Sequence, residues 1–150
     1  MQIFVDADAC PVKEEAARVA ARHGLVIQYV SNSHMRLPFG DNVKRVVVAE
    51  GADAADNWIA EQCTNGDIVV TADVPLASRA IKKGAMVISH VGKPFTQDSI
   101  GMALAMRDLM SQLREMGEVR GNNPVFVPKD RSNFLQGLEN AIQLAMRFGC

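Results

Sequence analysis

Short runs of apolar residues alternate with longer segments of helical periodicity over the first 90 residues of the chain. This alternation is typical of βαβ units, in which helices join parallel strands. The pattern predicts five strands, at about 3–5, 25–30, 45–49, 68–71 and 85–88. Because these runs are continuously apolar, we expect helices to cover the strands on both faces.

Helices are predicted between the strands, with boundaries marked by proline and glycine. Pro11 suits the first position of one helix and Gly24 its end, a second helix covers about 53–64, and a third begins at Pro75 and ends before Gly84. The last third of the chain predicts two more helices around a connection at 117–131, whose 124–128 core we expect to be extended. Their predicted core positions are Met102, Met106, Leu109 and Leu113, and Phe134, Leu138, Ile142 and Ala145.

The length and composition predict one cytoplasmic domain over residues 1–150. Hydrophobic residues make up 48% of the chain and charged residues 22%, which is ordinary for a globular protein. The cysteines, at 10, 63 and 150, lack disulfide or metal spacing and are interpreted as free thiols in a reducing compartment. With no signal-peptide pattern and no apolar run of about 18 residues, we expect no membrane partner.

Charge is distributed unevenly, although the net charge of −1 gives no general argument for a polyanionic partner. Residues 1–73 carry 11 acidic and 6 basic side chains, and residues 74–150 carry 6 acidic and 10 basic side chains. An acidic site beside a basic surface and a chance distribution of solvated charges both remain open.

Aspartates follow three of the predicted strands: Asp6 and Asp8 after the first, Asp53 and Asp56 after the third, and Asp73 after the fourth. Right-handed crossovers bring the carboxyl ends of parallel strands to one edge of the sheet, where ligands bind. Clustered carboxylates favour a hard cation, so these five residues predict a site for Mg²⁺ or Mn²⁺. Zinc has little support, because no ligand spacing relates the three histidines, His23, His34 and His90.

Helix capping is the structural alternative for these aspartates. Asp53 and Asp56 have the i, i+3 spacing of a capping box, so capping and metal binding are both open for them. With prolines at the first helical positions, the predicted caps of the other two helices are Cys10 and Val74. The remaining three aspartates then lie outside the caps, which favours a functional role.

Further polar residues near the same edge are candidates for substrate binding. Thr71 and Ser78 could position water or phosphate, or could make local hydrogen bonds to the backbone. Asn32 ends the second strand, where function and turn formation are both open. Cys10 at a helix start has no evident oriented base, so we interpret it as a small buried side chain.

Basic residues in the second half of the chain are candidates for guiding a phosphate backbone. They are Arg79, Lys82, Lys83 and Lys93, although a solvated helix face explains the first three equally well. Aromatic residues make up only 5% of the chain, which offers little for base stacking.

Three motifs carry a resemblance to a known family: Asp-Ala-Asp-Ala-Cys-Pro at 6–11, Gly-Ala-Asp-Ala-Ala-Asp at 51–56 and Asp-Ile-Val-Val-Thr-Ala-Asp-Val-Pro-Leu-Ala at 67–77. Together with Arg107, Arg114 and Gly117 they resemble the bacterial YaiI/YqxD family of uncharacterised proteins, over nearly the whole chain. That family is similar to the PIN-like nucleases. The resemblance implies a three-layer α/β fold, with a mostly parallel five-stranded sheet of order 3-2-1-4-5 flanked by helices and a helical C-terminal part.

The resemblance also implies roles for particular residues. Asp6 matches the PIN aspartate after the first strand, Asp53 or Asp56 the acidic residue on the helix after the third, and Thr71 with Asp73 the Thr-x-Asp signature. Asp8 is an addition of this family. The usual PIN pattern has a further acidic residue near the last strand, but this sequence has none there before Asp98.

Our leading hypothesis is divalent-metal-dependent hydrolysis of phosphodiesters, in RNA rather than DNA, with Asp6, Asp8 and Asp73 as the catalytic residues. One alternative is a phosphatase of the haloacid-dehalogenase type, in which a first-strand Asp-x-Asp supplies nucleophile and acid, although Cys10 replaces the usual Thr or Val. The other is a non-catalytic PIN-like module that binds RNA or a protein. The sequence does not predict the oligomeric state.

Overall fold

The predicted alternation of strands and helices is present in the structure. The computed structural model describes residues 1–49, 53–115 and 126–148 of the 150-residue chain. The elements follow in the order β1 (Gln2–Asp6), α1 (Lys13–Arg22), β2 (Val26–Ser31), β3 (Val43–Val47), α2 (Ala54–Gln62), β4 (Ile68–Val70), α3 (Val74–Lys82), β5 (Met86–Ile88), β6 (Pro94–Phe95), α4 (Gln97–Glu115) and α5 (Pro128–Phe148).

The sheet has six strands in the order β3-β2-β1-β4-β5-β6, and only β6 is antiparallel to its neighbour. The predicted order 3-2-1-4-5 is confirmed. The sixth strand was not predicted because two residues carry no periodicity. The chain winds outward from β1 to β3 and then returns beside β1 as β4, so the winding reverses between β1 and β4. Ligands bind beyond strand ends at such a reversal.

Helices cover the two faces of the sheet, and neighbouring residues of β1 show the division. Ile3 and Val5 belong to a buried cluster with residues of α1 and α5, whereas Phe4 belongs to a second cluster with residues of α2 and α3. The three-layer architecture and two-sided cover of the central strands are therefore confirmed. So is the core face of α5, which buries Phe134, Leu138, Ile142 and Ala145.

Two predictions of burial are wrong. β3 pairs with β2 alone, and as an edge strand it leaves Lys44, Arg45 and Val47 exposed. The predicted core stripe of α4 is largely exposed, with relative exposures of 71% for Met102, 51% for Met106 and 48% for Leu109. Because α4 packs mainly against α3, only a narrow part of the helix is covered.

A close contact between two glycines fixes the turn that follows β5. Gly92 has a φ of +83°, and a Cβ built on it would lie 2.1 Å from the carbonyl oxygen of Asn133 on α5. A Cβ on Gly137 would lie 2.5 Å from the carbonyl oxygen of Gly92. The backbones therefore approach as only glycine permits, and α5 holds the turn at the carboxyl end of β5.

The predicted connection at 117–131 lies partly outside the described residues, as does part of its 124–128 core; α5 begins within it, at Pro128. Neither α4, α5 nor any other helix of the described ranges has the combination of length and apolar character that crossing a membrane requires.

Candidate active site at the carboxyl ends of β1 and β4

A cavity of about 250 Å³ lies where the winding of the sheet reverses. Val5 pairs with Val70 across β1 and β4, so the next residues along the two strands are Asp6 and Thr71. The cavity is lined by Asp6, Cys10, Val70, Thr71, Ala72, Asp73 and His90. The structure thus brings together three of the predicted site residues, from two neighbouring strand ends.

A single hydroxyl group, that of Thr71, links the carboxylate of Asp6 to the backbone of Asp73. Thr71 is buried, and its Oγ1 donates a hydrogen bond to Oδ2 of Asp6 at 3.1 Å. The same oxygen accepts a hydrogen bond from the backbone N–H of Asp73 at 3.0 Å. Oδ1 of Asp73 in turn accepts from the backbone N–H of Leu76 at 2.8 Å. Among the described residues, none donates to Oδ1 of Asp6 or Oδ2 of Asp73, so each carboxylate keeps one oxygen for a ligand.

The predicted helix caps are wrong, and the error concerns Asp73. The N-cap residues are Val12 for α1 and Asp73 for α3, rather than Cys10 and Val74. Pro75 takes the second helical position, not the first, which moves the cap back by one residue. Asp73 is therefore a true cap through Oδ1, and its functional assignment rests on the other oxygen.

Burial and like charge disfavour the ionised form of Asp6. Its pKa is raised, chiefly because burial removes water from the carboxylate, and the negative charges of Asp73 and Asp8 add to this effect. The hydrogen bond from Thr71 acts in the opposite direction. A carboxylate in this position is stabilised by a nearby cation.

Asp56, in the first turn of α2, is affected by the same group of charges. Burial raises its pKa to about 6, with further contributions from the carboxylates of Asp73, Asp6 and Asp53, while Arg79 lowers it. Asp56 does not line the cavity, yet it shares the electrostatic field of the residues that do. The negative potential therefore extends from the cavity to the start of α2.

The other predicted ligands lie around the cavity. Asp8 is exposed on a 3₁₀ turn (Ala7–Ala9), where its Oδ2 accepts from the backbone N–H of Asn32 at 3.2 Å. Asn32 thus ties the ends of β1 and β2 together through its backbone. Asp53 is the N-cap residue of α2, but its side chain makes no capping hydrogen bond. The side-chain bond that a capping box would require of Asp53 is therefore missing.

The predicted substrate-binding residues of α3 lie outside the cavity lining. Ser78 is half-buried within the helix, and Arg79 donates a hydrogen bond to Oδ1 of Asn57 on α2 at 2.7 Å. Lys82 is exposed nine residues after Asp73, which places it about 13 Å further along the helix axis. Their substrate-binding roles stay predictions.

His90 lines the cavity, although its spacing in the sequence did not suggest a ligand. It follows β5 in the turn that Gly92 holds against α5, and it is half-buried. Its position in the sequence could have identified it. His90 comes just after β5, which lies beside β4, so it follows a strand end on the same edge of the sheet as Asp6.

Cys10 is buried, as expected from the sequence. Burial raises the pKa of its thiol to about 11, so the thiol is protonated at neutral pH and unsuited to nucleophilic attack.

The donor set of the cavity is rich in oxygen but small. As their side chains stand, no three histidine, cysteine, aspartate or glutamate residues of the described ranges form a group that could hold a metal ion. The cavity itself offers two carboxylates and one hydroxyl, and neither lysine nor arginine is among its described lining residues.

The fold and this site define a doubly wound α/β protein with paired carboxylates at its topological switch point. The chain belongs to the YaiI/YqxD family, since the model described as "Uncharacterized BCR, YaiI/YqxD family" matches residues 4–144. The family resemblance drawn from the aspartate motifs is confirmed.

Similar proteins extend over almost the whole chain. A UPF0178 protein of Parvibaculum lavamentivorans is 58% identical over 146 residues, which cover 97% of this chain and 96% of the relative. UPF0178 proteins of Rhodospirillum rubrum and Rhodopseudomonas palustris are 57% and 53% identical, and the matches cover 98% and 97% of this chain and 99% and 94% of the relatives. No solved structure matches the chain.

Proposed function

We propose that this protein hydrolyses phosphodiester bonds of RNA with the help of Mg²⁺ or Mn²⁺ held by Asp6 and Asp73. One observation carries the proposal. Two half-buried aspartates lie at neighbouring strand ends, where the Thr71 hydroxyl bonds the carboxylate of Asp6 and the backbone N–H of Asp73. Each carboxylate keeps one oxygen for a cavity that has neither lysine nor arginine among its described lining residues. Burial and the neighbouring negative charges disfavour the ionised form of Asp6 unless a cation is bound.

The donor set fits Mg²⁺ better than an ion that needs a full protein cage. Mg²⁺ usually keeps several waters and is bound through one or two carboxylates together with substrate phosphates. Two carboxylates without a third protein ligand are therefore sufficient. Asp8, Asp53 and Asp56 surround the pair in this proposal, where they would supply further ligands or negative charge.

In the proposed reaction, the residues of the chain position the ion and move protons. When bound, the ion supplies the Lewis acidity that stabilises charge on the phosphoryl oxygens. Thr71 fixes the separation of Asp6 and Asp73 through its two hydrogen bonds. His90, on the wall of the same cavity, would take a proton from the attacking water or give one to the leaving oxygen.

The test is cleavage of a labelled single-stranded RNA with Mg²⁺, with Mn²⁺ and with chelator. Asp6→Asn and Asp73→Asn should each lower metal-dependent cleavage by about a hundredfold or more, because the ligand charge is lost. Asn is as good an N-cap as Asp, so Asp73→Asn should leave the stability of α3 nearly unchanged. The matched control is Asp98→Asn, an exposed aspartate of α4. Wild-type activity in both site variants would overturn the proposal, and a trapped aspartyl-phosphate at Asp6 would favour the phosphatase alternative.

A binding module without catalysis is the second candidate, and the small donor set favours it. Without a third converging ligand group among the described residues, metal binding can serve stability rather than turnover. RNA binding without cleavage in either metal would support this alternative. A cytoplasmic location belongs to either candidate and is supported by two buried free thiols, those of Cys10 and Cys63.

A further inference from the structure

A long groove runs beside the acidic cavity, between α1 and the chain that joins β2 to β3. It consists of three adjoining cavities of about 330, 450 and 460 Å³, which share Arg36, Leu37 and Pro38. We call it the loop groove. Its first cavity is lined by Cys10, which also lines the acidic cavity. The two sites therefore meet at a shared lining residue, Cys10.

Cations dominate the walls of the loop groove, although the chain as a whole has a net charge of −1. The basic lining residues are Lys13, Arg18, Arg36, Arg45 and Arg131, against the acidic Glu14 and Glu15. Glu15 is paired with Arg131, with 3.2 Å between Oε1 and Nε. Within the described ranges, no ion pair involves the other four cations. The groove thus offers uncompensated positive charge to an anionic ligand.

The cations of the groove divide into anchored and exposed side chains. Lys13 Nζ donates to the carbonyl oxygen of Cys10, and an Nη of Arg45 donates to the carbonyl oxygen of Met35, both at 2.7 Å. These bonds hold the groove in shape. Arg18 and Arg36 are exposed, and the described residues show no hydrogen bond from either side chain. They are free to meet a phosphate.

Phe39 lines two cavities of the groove, and its side chain is fully exposed. Burying a phenylalanine is worth about 1.5–3 kcal/mol, so a ring left wholly in water gains nothing for the fold. An exposed aromatic ring beside a line of cations is the combination that binds single-stranded nucleic acid, because the ring stacks with a base while the cations follow the backbone.

We propose that the loop groove binds single-stranded RNA, with a base stacked on Phe39, phosphates beside Arg18 and Arg36, and the strand continuing past Cys10 into the acidic cavity. The inference rests on the proposed function only in taking that cavity as the place of cleavage. Charge complementarity selects the occupant, because four unpaired cations match a polyanion and one exposed ring matches a base.

The first experiment measures RNA affinity in chelator, where the metal-dependent reaction cannot occur. The probe is a fluorescein-labelled single-stranded RNA of about 12 nucleotides, followed by anisotropy. Phe39→Ala should weaken binding roughly five- to a hundredfold, the range expected for losing one base stack. Phe39→Leu should weaken it similarly, and Phe39→Trp should retain it. Met102→Ala, which removes an exposed apolar side chain from α4, is the matched control.

The second experiment measures the salt dependence of the same affinity. Arg36→Gln should weaken binding and reduce the slope of log K against log salt concentration by about 0.7, the value for one phosphate contact on a single strand. Arg147→Gln, on the exposed face of α5, should leave the slope unchanged. Phe39→Ala should also leave it unchanged, because stacking releases no counterion.

The outcomes separate this inference from the proposed function. RNA binding that depends on Phe39 and Arg36 supports the loop groove even if the protein cleaves no RNA, or cleaves it equally well after Asp6→Asn. Wild-type affinity in both groove variants overturns it, whatever cleavage shows. Poly-glutamate binding as tight as RNA binding and equally dependent on Phe39 would also overturn it, by assigning the groove to acidic proteins.

Discussion

Asp67 and Asp6 stand at opposite ends of the paired strands β4 and β1, and their surroundings differ. Asp67 is buried just before β4, where Oδ1 accepts from the backbone N–H of Gln2 at 3.0 Å. Its Oδ2 accepts from the backbone N–H and the hydroxyl of Thr64, at 2.9 and 3.0 Å. Asp6 has one described donor, the hydroxyl of Thr71.

The number of hydrogen-bond donors distinguishes the structural carboxylate of Asp67 from that of Asp6, the proposed ligand-binding residue. Hydrogen bonds to both oxygens compensate Asp67 for its lost water and tie the end of α2 to β1. Asp6 retains an oxygen without a described donor and has like charges as neighbours, which is the basis for the cation that we propose to bind there. The same residue type thus serves stability at one edge of the sheet, and in the proposed function it would hold a ligand at the other.

The largest expected effect on stability is at Asp67. Asp67→Ala should lower the free energy of unfolding by about 3 kcal/mol, because it removes the buried acceptor of three hydrogen bonds from Gln2 and Thr64. Urea denaturation would measure the change, with Asp108→Ala, an exposed aspartate of α4, as the control. A loss no larger than that of the control would remove the contrast between the two edges.

Added Mn²⁺ should reveal the opposite contrast, because stabilisation by the ion should depend on Asp6 and not on Asp67. An ion that binds only the folded state stabilises it by about 2.7 kcal/mol at a hundredfold excess over Kd, or roughly 5–10 °C in Tm for a domain of this size. Asp6→Asn should shrink this shift, whereas Asp67→Asn should retain it. Asp8→Asn should leave the metal-free protein as stable or more so, since repulsion is relieved, and should also shrink the shift.

The measurement is a thermal melt of each variant with chelator and with millimolar Mn²⁺, at fixed ionic strength so that screening is not mistaken for binding. No shift in the wild type, or an equal shift in Asp6→Asn, would leave the acidic cavity without a metal.

Local patterns predicted the sheet and its acidic edge. Alternating elements and right-handed crossovers fix the strand order, and that order places Asp6 beside Thr71 without any knowledge of packing. The YaiI/YqxD motifs point to the same residues. These features depend on chain direction and hydrophobicity, which the sequence carries explicitly.

What the sequence did not predict depends on how elements meet. Pro75 is acceptable at either of the first two helical positions, so the caps could not be assigned by proline alone. Helical spacing does not reveal whether a partner covers the stripe, which is why Met102 was misplaced. The loop groove and the place of His90 depend on the paths of two loops, which have no periodicity. No pattern in the sequence therefore indicated that Phe39 would be exposed beside a line of cations.

The N-cap residues of α2 and α3, Asp53 and Asp73, allow a comparison with a smaller expected change in stability. Asp73→Ala should cost about 1 kcal/mol of stability, because Oδ1 of Asp73 accepts the N–H of Leu76. Asp53→Ala should cost well under this amount, since its side chain makes no capping hydrogen bond. Urea denaturation in chelator measures both variants without a contribution from metal. Equal losses would show that Asp53 caps α2 in solution.

The smallest expected effect is the pH dependence that Asp56 gives to the metal-free protein. Burial and three neighbouring carboxylates raise its pKa in the folded protein from 3.8 to about 6, so folding favours the protonated form. Its contribution to stability is therefore complete below about pH 4, declines as the pH rises towards 6, and is constant above that value. Because this carboxyl group remains partly in water, screening should hold the loss to about 1 kcal/mol or less, or 2–4 °C in Tm.

Asp56→Asn removes this titration. The variant should gain stability relative to wild type between about pH 4 and pH 6, and the difference in stability should be constant above pH 6. Thermal melts in chelator across this range, with Asp98→Asn as the exposed control, measure the difference. Wild-type and Asp56→Asn curves that run parallel would show that the negative potential of the cavity does not reach α2.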